Sequence, residues 1–133
     1  MTDLINKVDE IGKKNLQELQ NIVNQFSTVL HDTKEKDIPY VAYIIHLATN
    51  YININYKDLS KDWKTWSVFF IRHQYLKGKL TKLSDIPILI DKFLEFYNTE
   101  YDKYCNDIFA ATDYDRDRGF INYYEKKIND GKI

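Results

Sequence analysis

Between residues 2 and 31 apolar side chains recur at helical spacing. Placed at 100° intervals, Leu4, Ile5, Val8, Ile11, Leu16, Leu19, Ile22, Val23, Phe26, Val29 and Leu30 fall within an arc of roughly 140°. Asp9, Glu10, Lys13, Lys14 and Glu18 lie outside it. The pattern predicts one long amphipathic helix, about 28 residues or ~42 Å. Gly12 and Asn15 interrupt the stripe and are read as positions at its edge.

The polar connection "HDTKEKDIP" ends in Pro39, a residue suited to the first turn of a helix. Tyr40, Val41, Ile44, Ile45, Leu47, Ala48, Tyr51 and Ile52 then share one side of a second helix. Its end, "NYININY", alternates apolar and polar positions, so a short strand over 50–56 is the alternative. Ser60 is placed to cap a third helix reaching about Lys77, with Gly78 just beyond its end. That helix is apolar on two sides, Trp63, Trp66, Phe69, Phe70, His73 and Leu76 on one and Val68, Ile71 and Tyr75 on another, which predicts a central position. Ser84 or Asp85 caps a fourth helix with Pro87 in its first turn and a stripe of Ile90, Phe93, Leu94, Tyr97, Tyr101, Tyr104 and Ile108. A short last helix over 118–129 presents Phe120, Ile121, Tyr124 and Ile128. The expectation is an all-α fold: a single domain over 1–133, built as a bundle of four to five helices.

Composition agrees with this picture and narrows it. The chain of 133 residues is 44% hydrophobic and 29% charged, with four Gly and two Pro, the balance of an ordinary globular domain. No apolar run approaches the ~20 residues of a membrane helix, and "MTDLINKVDEIGKK" lacks the layout of a signal peptide. One cysteine, Cys105, forms no intramolecular disulfide, so a reducing cytoplasm is the expected location. Eleven tyrosines, frequent Lys, Asn and Ile, and Arg only at Arg72, Arg116 and Arg118 suggest A/T-rich codons. A low-GC genome, a phage or another mobile element is the expected source.

Charge is segregated although the total is −1. Residues 57–83 carry Lys57, Lys61, Lys64, Arg72, Lys77, Lys79 and Lys82 against Asp58 and Asp62, whereas 84–133 carry eleven acids against seven bases. A neutral total argues against wholesale coating of nucleic acid but permits a local basic patch. Trp63, Trp66 and Tyr75 interleave with those cations, a composition suited to phosphate contact and base stacking. The wheel nevertheless turns both tryptophans toward the core. This segment supports the alternative function, a nucleic-acid-binding accessory protein.

The stretch "ATDYDRDRGFINYYEK" resembles an EF-hand calcium loop over 13 residues. Gly119, Ile121 and Glu125 have the spacing of loop positions six, eight and twelve, and Phe109 stands where the entering helix often has an aromatic. Asp113, Asp115 and Asp117 are one residue too far upstream for that glycine. The resemblance implies a degenerate calcium site with Asp113, Asp115, Asp117 and Glu125 as ligands. The simpler reading makes Asp117 the cap of the last helix and Asp113 and Asp115 turn formers.

Catalytic chemistry has no anchor in the sequence. His31, His46 and His73 are scattered, Cys105 lies at a stripe's edge, and there is no phosphate-cradling glycine loop or nucleophile elbow. The leading expectation is a non-catalytic protein-binding module, such as an immunity, antitoxin or phage-encoded inhibitor protein. Tyr114, Asp115, Arg116, Asp117, Tyr123 and Tyr124 would contact a partner bearing a basic surface. The length of the first stripe adds the expectation of self-association through the N-terminal helix.

Overall fold

A computed structural model describes residues 2–131 and is all-α, with no strand among them. Six helices form: α1 (Thr2–Lys14), α2 (Leu16–Gln25), α3 (Ile38–Asn55), α4 (Lys61–Leu76), α5 (Asp85–Asp107) and α6 (Asp113–Asn129), with short 3₁₀ turns at Ser27–Val29 and Glu35–Asp37. The count exceeds the expected four to five because the first predicted helix is two. Among the described residues, no helix is long and apolar enough to cross a membrane.

The break falls at Asn15. Its φ of −155° leaves the helical region, and its side-chain oxygen accepts the N–H of Glu18 at 3.0 Å, capping α2. Asparagine competes poorly in a helix interior but caps well, because its short side chain replaces one missing intrahelical acceptor. The apolar stripe continues through the break: Leu4, Val8 and Ile22 are all buried. The expected 2–31 helix is therefore corrected to α1, α2 and a 3₁₀ turn. The side chain of the stripe's Val29 lies outside those described.

The chain divides into two compact units, Met1–Ile90 and Asp91–Ile133, with the boundary inside α5. In the first unit α3 runs unbroken through 50–55, so the strand alternative is not realised. Its Val41, Ala42, Ile44, Ile45, Ala48 and Ile52 are buried, and Ile22, Leu30, Val41, Ala42 and Ile45 make one cluster. Phe26, Val68 and Tyr75 pack against that cluster. α4 starts where Ser60 accepts the N–H of Trp63 at 3.3 Å and ends before Gly78, whose φ of +74° suits a residue without Cβ. The carboxylate of Asp3 accepts the N–H of Leu83 at 3.0 Å, tying α1 to the connection that precedes α5. This bond lowers the Asp3 pKa from its ordinary value.

The second unit packs the rest of α5 against α6 through aromatic rings. Phe120 is fully buried, with ring centroids of Phe96, Tyr101 and Tyr104 at 5.3–5.4 Å and Tyr97 at 6.1 Å. Tyr124 packs on Phe96 at 4.8 Å and on Phe93 at 5.4 Å. Gly119 stands directly beneath Tyr104, where a Cβ would collide with the Tyr104 hydroxyl. The glycine is there for close approach of a ring.

Candidate functional site

The last helix begins five residues earlier than expected. Thr112 caps it, its hydroxyl accepting the N–H of Asp115 at 3.1 Å, and Asp113 and Asp115 occupy the first turn, where negative charge complements the helix dipole. Asp117 is thus four residues inside α6 rather than its cap. It is buried, accepting from the Tyr101 hydroxyl at 2.7 Å and from Arg116 Nε at 3.0 Å. Burial, then the bond to Asp117, pushes the Tyr101 phenol far above its ordinary value. The same carboxylate raises Arg116 further, keeping the guanidinium charged. Arg116 Nη1 also reaches Asp113 at 3.2 Å.

This geometry corrects the calcium reading. A calcium loop must curl its oxygens around one point, whereas Asp113, Asp115 and Asp117 are spread along a helix, with Asp115 turned about 200° from Asp113. Glu125 is buried in the same helix, about 12 Å further along the axis than Asp117. Among the described residues no group of three or more His, Cys, Asp or Glu side chains could hold a metal ion.

The expected contact surface is brought together only in part. Tyr114 and Asp115 are exposed and Arg116 and Tyr123 half-exposed, but Asp117 and Tyr124 belong to the interior. Tyr124 has only 2% of its surface exposed, and burial pushes its phenol up to about 12. Removing these two leaves an exposed corner at the start of α6. Arg118 Nη1 donates to the Tyr114 hydroxyl at 3.0 Å, steadying the ring. Phe109, 96% exposed, stands in the connection between α5 and α6. Ile108, Phe109, Ala111, Asp113 and Arg116 line a depression of about 290 Å³. Asp113 in its wall is exposed, as are Asp107 at the end of α5 and Asp115 in the first turn of α6. In the sequence Phe109 stands out only through the calcium-loop resemblance. Its position after the last stripe residue and before the Thr112 cap was the available signal, since connections run over the surface.

In the basic segment, Lys57, Lys61, Lys77, Lys79 and Lys82 are exposed and Lys64 half-exposed, while Arg72 is only 4% exposed. Arg72 donates to the carboxylate of Asp32 and, at 3.1 Å, to the Thr33 hydroxyl, so its charge is spent inside the first unit. Trp63 is buried and Trp66 half-buried edge-on to Phe69 at 5.6 Å, so neither offers an open stacking face. The patch retains lysines but loses its arginine.

The histidines do not converge. Asn50 Nδ2 donates to His46 Nε2 at 3.3 Å, and the His73 ring packs 4.5 Å from Phe69. Cys105 is half-buried along α5. Between α3, α4 and Phe26, just past the end of α2, lies an apolar cavity of about 240 Å³, which no sequence pattern announced. No protein-family model, curated protein or solved structure matches the chain.

Proposed function

We propose that the protein is a non-catalytic binding module that docks on another protein through the corner formed by Phe109 and the start of α6. One observation carries the reading: a phenylalanine 96% exposed, lining a depression with Asp113 in a segment, 107–115, whose Asp107, Asp113, Tyr114 and Asp115 are all exposed. Exposing a phenylalanine forfeits about 1.5–3 kcal/mol of burial, which a partner's pocket recovers. A rigid aromatic anchor with a charged rim has the make-up of an interface hot spot. The acidic rim selects a basic counter-surface and speeds encounter with it. Immunity proteins, antitoxins and phage-encoded inhibitors are the class in mind.

Affinity capture from the native host tests the reading, with wild type beside Phe109→Ala, the pair Asp113→Lys and Asp115→Lys, and Lys79→Glu as control. A protein retained by wild type and by Lys79→Glu, but lost with the first two variants, supports it. Retention of the same protein by Phe109→Ala sinks it. The nucleic-acid alternative predicts the reverse, loss with Lys79→Glu and a steep salt dependence.

A further inference from the structure

Between α2 and the start of α3 runs a groove of about 550 Å³ with an apolar floor. Leu16, Leu19, Val23, Ile38 and Pro39 line it. Leu16 is 73% exposed, although it continues the stripe that buries Leu4, Val8 and Ile22. A single exposed leucine is ordinary, but here the other four apolar residues of the lining are each half-buried beside it. Together they make one continuous greasy patch, the kind of surface that marks a contact with another molecule.

What borders the patch says what covers it. In a chain that is 29% charged, α2 has one charged residue, Glu18. At 100° per residue Glu18 is turned about 200° from Leu16, away from the groove. The neighbouring α1, by contrast, carries Asp3, Lys7, Asp9, Glu10, Lys13 and Lys14. On α2 the exposed polar positions are amides: Gln17, Gln20, Asn21, Asn24 and Gln25. Gln17 Nε2 donates to Asn21 Oδ1 at 3.0 Å, and Gln20 Nε2 to Asn24 Oδ1 at 2.8 Å. Each pair still has its glutamine oxygen and its asparagine nitrogen outside that bond. Glu35 brings an acid to the lining, with Lys34 and Lys36 on either side of it in the chain. Loss of charge around an apolar patch is the compositional mark of an interface core. Amides are donor and acceptor at once, so this surface can meet an identical one without opposing like charges.

We propose that α2 is a surface for a second copy of this chain: two α2 helices pack antiparallel about a two-fold axis, and Leu16 of each copy enters the groove of the other. Leu16 facing Val23 of the other copy puts the axis between Leu19 and Gln20, which makes the two Gln20 side chains neighbours. A ten-residue helix spans about 15 Å, so the contact lies at the small end of specific interfaces. The dimer is correspondingly weak, with a dissociation constant on the order of 100 μM. The inference does not rest on the docking corner at Phe109.

Analytical ultracentrifugation of the full chain, from about 10 μM to about 1 mM, is expected to show a passage from monomer to dimer. Leu16→Glu alters an exposed position, so the fold is kept, and should weaken the dimer at least tenfold. Ile54→Glu removes an isoleucine that is 68% exposed near the far end of α3 and should leave association intact. A second measurement reads the register. In a Cys105→Ala background, Gln20→Cys should cross-link to its own copy on oxidation, and Ile54→Cys should not. A monomer at about 1 mM, a dimer weakened no more by Leu16→Glu than by Ile54→Glu, or cross-linking no faster from position 20 than from position 54 would each overturn the proposal.

Discussion

Around Ile44 and Ile45 the interior of residues 1–90 is mainly aliphatic, with Tyr43, Trp63 and Phe70 as its buried rings, whereas around Phe120 the interior of residues 91–131 is mainly rings, four of them tyrosines. Aliphatic groups interdigitate in many ways at similar cost, so a core of that kind tolerates exchange if volume is kept. Ring pairs prefer offset or edge-to-face geometry, each worth about 0.5–1.5 kcal/mol beyond the area it buries. Each tyrosine also brings a hydroxyl that must be satisfied or left at the rim. Burial also raises the phenols of Tyr43 and Tyr75 in the first unit, but the second unit gathers its phenols around one ring and depends more heavily on proton positions.

The strongest way to break this contrast is to delete the central ring. Phe120→Ala is expected to cost about 3–5 kcal/mol, seen in denaturant titration and as loss of near-ultraviolet dichroism. Amides of α6 should lose hydrogen-exchange protection while those of α3 keep theirs. Equal loss in both helices would show that the units do not respond separately.

Alkali sharpens the difference. Burial raises the phenols of Tyr97, Tyr101, Tyr104 and Tyr124 above their ordinary value of about 10, Tyr124 to about 12. A raised folded-state value means that the stability they confer is complete below pH 10 and is lost as pH climbs through the interval toward 12. For Tyr124 alone the loss is on the order of 2 kcal/mol. Tyrosinate absorbance should rise together with unfolding of α6, and Tyr124→Phe should reduce the slope of stability against pH. A pH-independent stability between 9 and 12 would contradict the assignment.

Gly119→Ala gives a smaller effect whose sign is informative. Helix propensity alone favours alanine by about 1 kcal/mol, but the new Cβ meets the Tyr104 hydroxyl, and displacing that ring costs about 1–3 kcal/mol. Net destabilisation in thermal melts is expected, and Tyr104→Phe in the same chain should relieve part of it. The smallest effect is that of Asn15→Ala, about 1 kcal/mol from loss of the α2 cap, confined to exchange in α1 and α2.

These examples also show what the chain discloses before folding. Ser60, Gly78 and Pro39 announce their helix ends because capping is settled within four residues. The break at Asn15 is hidden because α1 and α2 keep the same apolar phase, and a helical wheel sees phase, not continuity. The start of α6 is hidden by its own acids, which read equally as loop ligands and as a first turn. Asp117 resists any local reading. What makes it interior is Tyr101, sixteen residues upstream on another helix. Gly119 was recognisable as unusual, yet its reason is a ring across the interface and not a calcium turn. The cavity beside Arg72 is hidden for the same cause: Phe26, α3 and α4 make it jointly.

The bond between Asp3 and Leu83 has a consequence for the order in which the polypeptide is made. Its two ends are 80 positions apart, so α1 leaves the ribosome long before the backbone amide that will hold it exists. By residue 55 α1, with its buried Leu4 and Val8, already has α2 and α3 to pack against, but its first turn still lacks this bond. Closure of that long loop is a late event of synthesis. A nascent chain released before position 83 should show weaker hydrogen-exchange protection at the start of α1 than one released after it.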